Sequence, residues 1–171
     1  GSTIHSYDSD MQSLTESSWA TGSTIAIAAG GYKGSFCELT ANWTGGHGTE
    51  FGGMLYTDSR LNTSVVFAET EGISLYIKSG NPSAQGMHVF IDDVWKTWVG
   101  FGQLDSLAWS KLELSWTTLG VDPTTASAGV IALRFTQEAS GLSTATIGID
   151  EIEFYTTTTG IQQAKQNNLS I

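Results

Sequence analysis

The chain has 171 residues, 40% of them hydrophobic, which suits one domain with a sizeable core. Seventeen acidic residues against 7 Lys+Arg leave a formal net charge of -10 with no basic run, which argues against nucleic acid and anionic membranes as partners. No apolar run is long enough to cross a bilayer.

Gly1-Ser2 reads as a cloning scar, and residues 3–20 as a short entry strand followed by a polar loop holding Asp8, Asp10 and Glu16. Ser23–Ala28 (STIAIA) is a short strand, and the glycines of AAGGYKG make a turn. Ser35–Trp43 alternates Cys37, Leu39, Ala41 and Trp43 against Phe36, Glu38, Thr40 and Asn42. Cys37 is the single cysteine, so it closes no internal disulfide, and its place in the apolar series points to a buried thiol. Gly45–Gly53 reads as a glycine-rich loop, but no Gly-Lys-Ser/Thr follows and it is no phosphate loop. Met54–Thr57 and Ser64–Ala68 are candidate strands.

Gly72–Gly80 (GISLYIKSG) is the clearest strand of the first half, with Ile73, Leu75 and Ile77 on one side and Ser74, Tyr76 and Lys78 on the other. Met87, Val89 and Ile91 then alternate with His88, Phe90 and Asp92, and WKTWVGFG (Trp95–Gly102) follows closely enough for a hairpin. Leu112 and Leu114 alternate with Lys111 and Glu113. Trp43 and Trp109 are assigned to the core; Trp19 and Trp116 stay undecided.

Val130–Tyr155 holds two further strands. In the first, Ile131, Leu133 and Phe135 alternate with Ala132, Arg134 and Thr136. In the second, Ile147 and Ile149 have one parity, and Ile152 and Phe154 the other. No regular strand puts all four in one core, so a β-bulge is expected at Asp150-Glu151. Such a bulge turns Asp150 toward a neighbouring loop, unless Asp150 is an ordinary surface carboxylate. Residues 158–171 have no apolar period and read as a linker or tail. About ten short strands with recurrent turn signals, and no convincing helix, give an all-β antiparallel sandwich of two sheets.

The ordered set GISLYIKSG, MHVFIDD, WSKLELSWTTLGVD, IALRFTQE and IGIDEIEFY resembles a group of carbohydrate-binding modules with a galactose-binding-like jelly roll. These modules are appended to bacterial cellulases and xylanases, and the likeness, strongest to families eleven, thirty and four, spans residues 3–157. It fails between His47 and Val65. It implies a jelly roll and a non-catalytic module that targets a parent glycoside hydrolase, in cis, to a plant β-glucan of the cellulose-like or mixed-linkage kind. A secreted or cell-surface monomer binding a polysaccharide or oligosaccharide follows from the same likeness. A structural calcium is also implied, with Asp8 and Asp10 as the N-terminal acidic pair and Asp150 as the last-strand ligand. Calcium takes six to eight oxygens from carboxylates and carbonyls, and the GGYKG turn is a source of carbonyls.

Sugars present apolar C–H faces that stack on aromatic rings, and hydroxyls that need donors and acceptors. The non-core faces of three neighbouring strands offer such a set: Tyr76, then His88, Phe90 and Asp92, then Trp98. Trp95 sits at the connecting turn, and Arg134 is on the non-core side of a later strand. The alternative is a second face packed under a loop. An enzyme would need paired carboxylates, for which Asp58, Glu69, Glu71, Asp92, Glu113 and Glu151 are available without any catalytic motif. A third class is an adhesion sandwich with a protein partner.

Overall fold

The computed structural model describes residues 2–5, 14–16, 24–42, 50–56, 67–80, 82, 85–126, 130–137 and 144–156. Within them lie β1 (Ser2–His5), β2 (Leu14–Glu16), β3 (Thr24–Ala28), β4 (Phe36–Asn42), β5 (Glu50–Tyr56), β6 (Gly72–Ser79) and β7 (Gln85–Ile91). Then come β8 (Val94–Trp95), β9 (Val99–Gly100), β10 (Ser110–Ser115), β11 (Val130–Gln137) and β12 (Thr144–Tyr155). One helical turn, α1 (Trp116–Leu119), is capped by the Ser115 side chain, which accepts from the Thr118 amide. The sequence had not signalled it, being too short to show a helical period.

The strands form two six-stranded antiparallel sheets. Sheet A runs β10-β6-β12-β4-β3, with β1 also on β12; sheet B runs β2-β5-β11-β7-β8, with β9 also on β7. Between them lies a core contributed by both: Leu39, Ile73, Leu75, Ile77, Ile147 and Ile149 from sheet A, Met87, Val89, Ile91, Leu133 and Phe135 from sheet B, all 0% exposed. This is the expected all-β sandwich of jelly-roll kind, and it follows from burying one side of each alternating strand. Cys37 lies in the same core, and burial pushes its thiol well above the ordinary range.

The bulge is present. Pairing of β12 with β6 shifts register between Asp150 and Glu153, and Glu151 has φ 46. Ile147, Ile149, Ile152 and Phe154 are therefore all buried. The shift is also where β12 changes neighbour: residues before it pair with β4, and residues after it with β1.

Three local expectations are corrected. The glycine-rich loop ends early, because Glu50–Tyr56 is a strand paired to β11 along its length. Phe67 and Ala68, expected to end the strand Ser64–Ala68, belong to a 3-10 turn, Phe67–Glu69. Trp109 is outside the sandwich: it has the parity of Lys111 and Glu113, not of Leu112 and Leu114, and lies over Gly148 on the outer side of sheet A. Trp116 has the Leu114 parity and is in the core at 2% exposure. Trp43 and Trp19 lie outside the described residues.

Candidate functional site

The outer side of sheet B carries the aromatic cluster. In β7, Met87, Val89 and Ile91 point inward, so His88 and Phe90 stand on the opposite side, half-buried. Arg134 of β11 is in register with His88. The Asp92-Asp93 pair, with φ 56 and 60, reverses the chain after Ile91, as a two-residue type I′ hairpin requires. That reversal brings Trp95 opposite Phe90, and their rings meet edge to face at 5.2 Å and 65°. The Arg134 guanidinium lies 4.6 Å from the centroid of the Trp95 ring.

Trp98 completes the cluster from the segment between β8 and β9. Its indole lies across Gly86 and Gly100, which pair with each other. A Cβ on Gly86 would fall within the indole, and one on Gly100 would sit 2.8 Å from Cη2. The two glycines thus make a shelf that only a hydrogen side chain leaves clear. From Gly86 to Phe90 the strand advances about 13 Å, which is more than one sugar ring.

The polar groups are set among these rings. His88 Nδ1 is 2.8 Å from the Lys96 carbonyl, which can only accept, so Nδ1 carries the proton and Nε2 is the acceptor of the neutral ring. Apolar ring faces, a guanidinium and an imidazole acceptor together suit a ligand with C–H faces and hydroxyls.

Two sequence expectations are altered here. Asp92 is not on the strand face with His88 and Phe90; it is exposed in the hairpin turn, because the chain reverses one residue earlier than the alternation implied. Tyr76 is not beside His88. Although β6 and β7 are consecutive, β6 pairs with β10 and β12 in sheet A, and β7 with β11 in sheet B. Outward from β6 and outward from β7 are opposite directions. Tyr76 stacks instead on Tyr32, at 3.5 Å between ring centroids and 9° between planes. The sequence offered no sign of the glycine shelf, since its two glycines become neighbours only by pairing.

Asp150 is fully buried on β12. Its Oδ2 accepts from the Lys33 amide at 2.9 Å and its Oδ1 from the Glu151 amide at 2.8 Å. The bulge does turn it toward the AAGGYKG turn. A Cβ built on Gly31 would lie 2.7 Å from Asp150 Oδ2, 2.8 Å from the Ser35 carbonyl oxygen and 2.9 Å from that of Gly34. Three oxygens therefore converge on one small space. Asp8 and Asp10 lie outside the described residues, among which no group of three or more His, Cys, Asp and Glu side chains is gathered.

No protein-family model and no curated protein sequence matches the chain. Solved structures do. A non-crystalline cellulose specific carbohydrate-binding module of family 28 superposes with TM-score 0.58 at 12% identity, covering 88% of this chain and 91% of that one. A family 11 module from Clostridium thermocellum, in complex with a β-1,3-1,4-mixed-linked tetrasaccharide, gives 0.55 at 12% identity, covering 90% and 94%. A family 27 module from Caldicellulosiruptor saccharolyticus, in complex with mannohexaose, gives 0.58 at 10% identity, covering 89% and 95%. The chain shares the jelly-roll fold of carbohydrate-binding modules over nearly its whole length.

Proposed function

We propose that this chain is a non-catalytic carbohydrate-binding module. It holds a parent glycoside hydrolase, outside the cell and in cis, on a plant β-glucan of the cellulose-like or mixed-linkage kind. The observation that carries this reading is the outer face of sheet B, where Trp98 rests on the Gly86–Gly100 shelf in line with His88, Arg134 and the Phe90–Trp95 pair. Rings desolvate the sugar faces, and Arg134 and His88 orient hydroxyls. Structural neighbours that are specific for non-crystalline cellulose, or are in complex with a mixed-linked tetrasaccharide or mannohexaose, support a saccharide ligand.

Affinity electrophoresis in gels holding mixed-linkage β-glucan, hydroxyethylcellulose, xylan or mannan tests it. Retardation is expected in the first two, and lost in Trp98→Ala. Unretarded migration in all four would overturn the reading, and release of reducing sugar would overturn its non-catalytic part.

A structural calcium belongs to the same proposal. The oxygens of Asp150, Gly34 and Ser35 around one space fit a hard cation's preference, and Asp8 and Asp10 would supply further carboxylates. Such an ion would tie the N-terminal segment and the β3–β4 turn to the bulge of β12. At a hundredfold excess over its Kd it would add about 2.7 kcal/mol. EDTA should then lower Tm by roughly 5–10 °C, and Asp150→Asn should abolish the response. A Tm indifferent to EDTA would exclude the ion.

A further inference from the structure

Sheet A has its own aromatic feature, on the side of the molecule facing away from Trp98. Tyr76 stands outward from β6, and Tyr32, carried by the β3–β4 turn, lies parallel to it with half its surface exposed. A tyrosine at a turn tip has no core reason to lie parallel to a strand residue at 3.5 Å. Beside the pair is a hollow of about 190 Å³, floored by buried Ser74 and walled by Lys33, Lys111, Glu151 and Glu153. That is below the roughly 300–1,000 Å³ of drug-sized sites, so it suits one ring and not a chain.

The wall chemistry narrows the ligand. Two lysines and two glutamates give donors and acceptors in nearly balanced charge, which favours neither an anion nor a cation. On a chain of net charge -10, an acidic ligand is repelled at long range as well. The hydroxyls of the stacked Tyr32–Tyr76 pair add uncharged donors and acceptors at that edge.

We propose that this hollow is a second saccharide site, separate from the sheet B face, which takes a single pyranose unit of a neutral glycan against the Tyr32–Tyr76 pair. It shares the saccharide chemistry of the proposed function but none of its residues, so the two fail separately. A module with one site on each sheet could bridge two glycan chains or two positions on one.

The test is a ¹H–¹⁵N NMR titration of the whole chain with methyl β-D-glucopyranoside and with a mixed-linkage tetrasaccharide. Saturable shifts are expected at the amides of Tyr32, Ser74, Tyr76 and Lys111 with both ligands. They should persist in Trp98→Ala and vanish in Tyr32→Ala, which should leave the shifts at His88 and Phe90 unchanged. Lys111→Ala, an exposed substitution that keeps the fold, should weaken binding at this site about threefold, the loss of one hydrogen bond. Silent sheet A amides, shifts that disappear in Trp98→Ala, or shifts that survive Tyr32→Ala would each overturn the second site. Shifts on sheet A with none on sheet B would uphold it while overturning the assignment of the proposed function to sheet B.

Discussion

The outer sides of the two sheets use the same kinds of residue to different ends. On sheet A, Phe36 is only 3% exposed although it lies outside the sandwich, because Trp109 covers it edge-on at 5.1 Å and both rings press on Gly148. The Lys78 ammonium sits 5.1 Å from each ring centroid, which closes the cluster with a cation. On sheet B, Trp98 lies over a shelf of two glycines and remains half-buried, as do Phe90 and Trp95. A glycine beneath an indole is common to both places. What separates a plug from a platform is how far the rings are closed off: Phe36 is 3% exposed, whereas Phe90, Trp95 and Trp98 all stay half-buried. Tyr32 and Tyr76, further along sheet A, fall between the two: stacked on each other, yet half-open beside a hollow.

The strongest way to break this contrast is Phe36→Ala. It should cost about 3 kcal/mol, as aromatic truncations at buried positions do, read from the midpoint of denaturant unfolding. Retardation by β-glucan, measured on the folded fraction, should not change; if it does, the plug is part of the platform. Next comes the Tyr32–Tyr76 pair, sharpened by spectrophotometric titration. Wild-type Tyr76 should ionise near 12, held up first by its hydrogen bond to Tyr32 and then by partial burial. Tyr32→Phe should return it toward the ordinary value of about 10. The sign is that of an acid kept neutral: losing the partner makes the phenolate easier, not harder, to form. An unmoved titration would deny the bond.

Gly86→Ala should lift the Trp98 indole off its shelf. The expected loss is on the order of tenfold in glucan affinity, about 1.4 kcal/mol, while alanine is tolerated in the strand. Binding like wild type would mean that the ring does not contact sugar. Smallest is Asp93→Gly in the β7–β8 turn, where φ is 60. Glycine adopts that conformation without a Cβ clash, so stability should rise by a few tenths of a kcal/mol and by at most ~1. A fall in stability would show that the carboxylate, and not the backbone, holds the turn.

How much of this was legible beforehand differs by residue. The period-two alternation assigned Leu75, Val89, Leu133 and Ile149 to the core, all now 0% exposed, because burial of a strand's side is a local property of the pleat. Leu112 followed only in part, since β10 is an edge strand and leaves it half-covered. The opposed parities of Ile149 and Ile152 announced the bulge at Asp150 for the same reason: a single register cannot bury both. The alternation likewise put His88, Phe90 and Arg134 outward. What it could not say was which way outward is. Tyr76 and His88 are both non-core residues on strands consecutive in sequence, and only the crossing of the chain from sheet A to sheet B sent them to opposite sides of the molecule. The Gly86–Gly100 shelf and the three oxygens around Gly31 were equally invisible, because each is made by residues that meet through pairing or turn closure and not through spacing. Sequence determined the inside of each strand, a matter of which side chains avoid water. Tertiary structure alone decided which outsides share a surface, because that depends on non-local strand order.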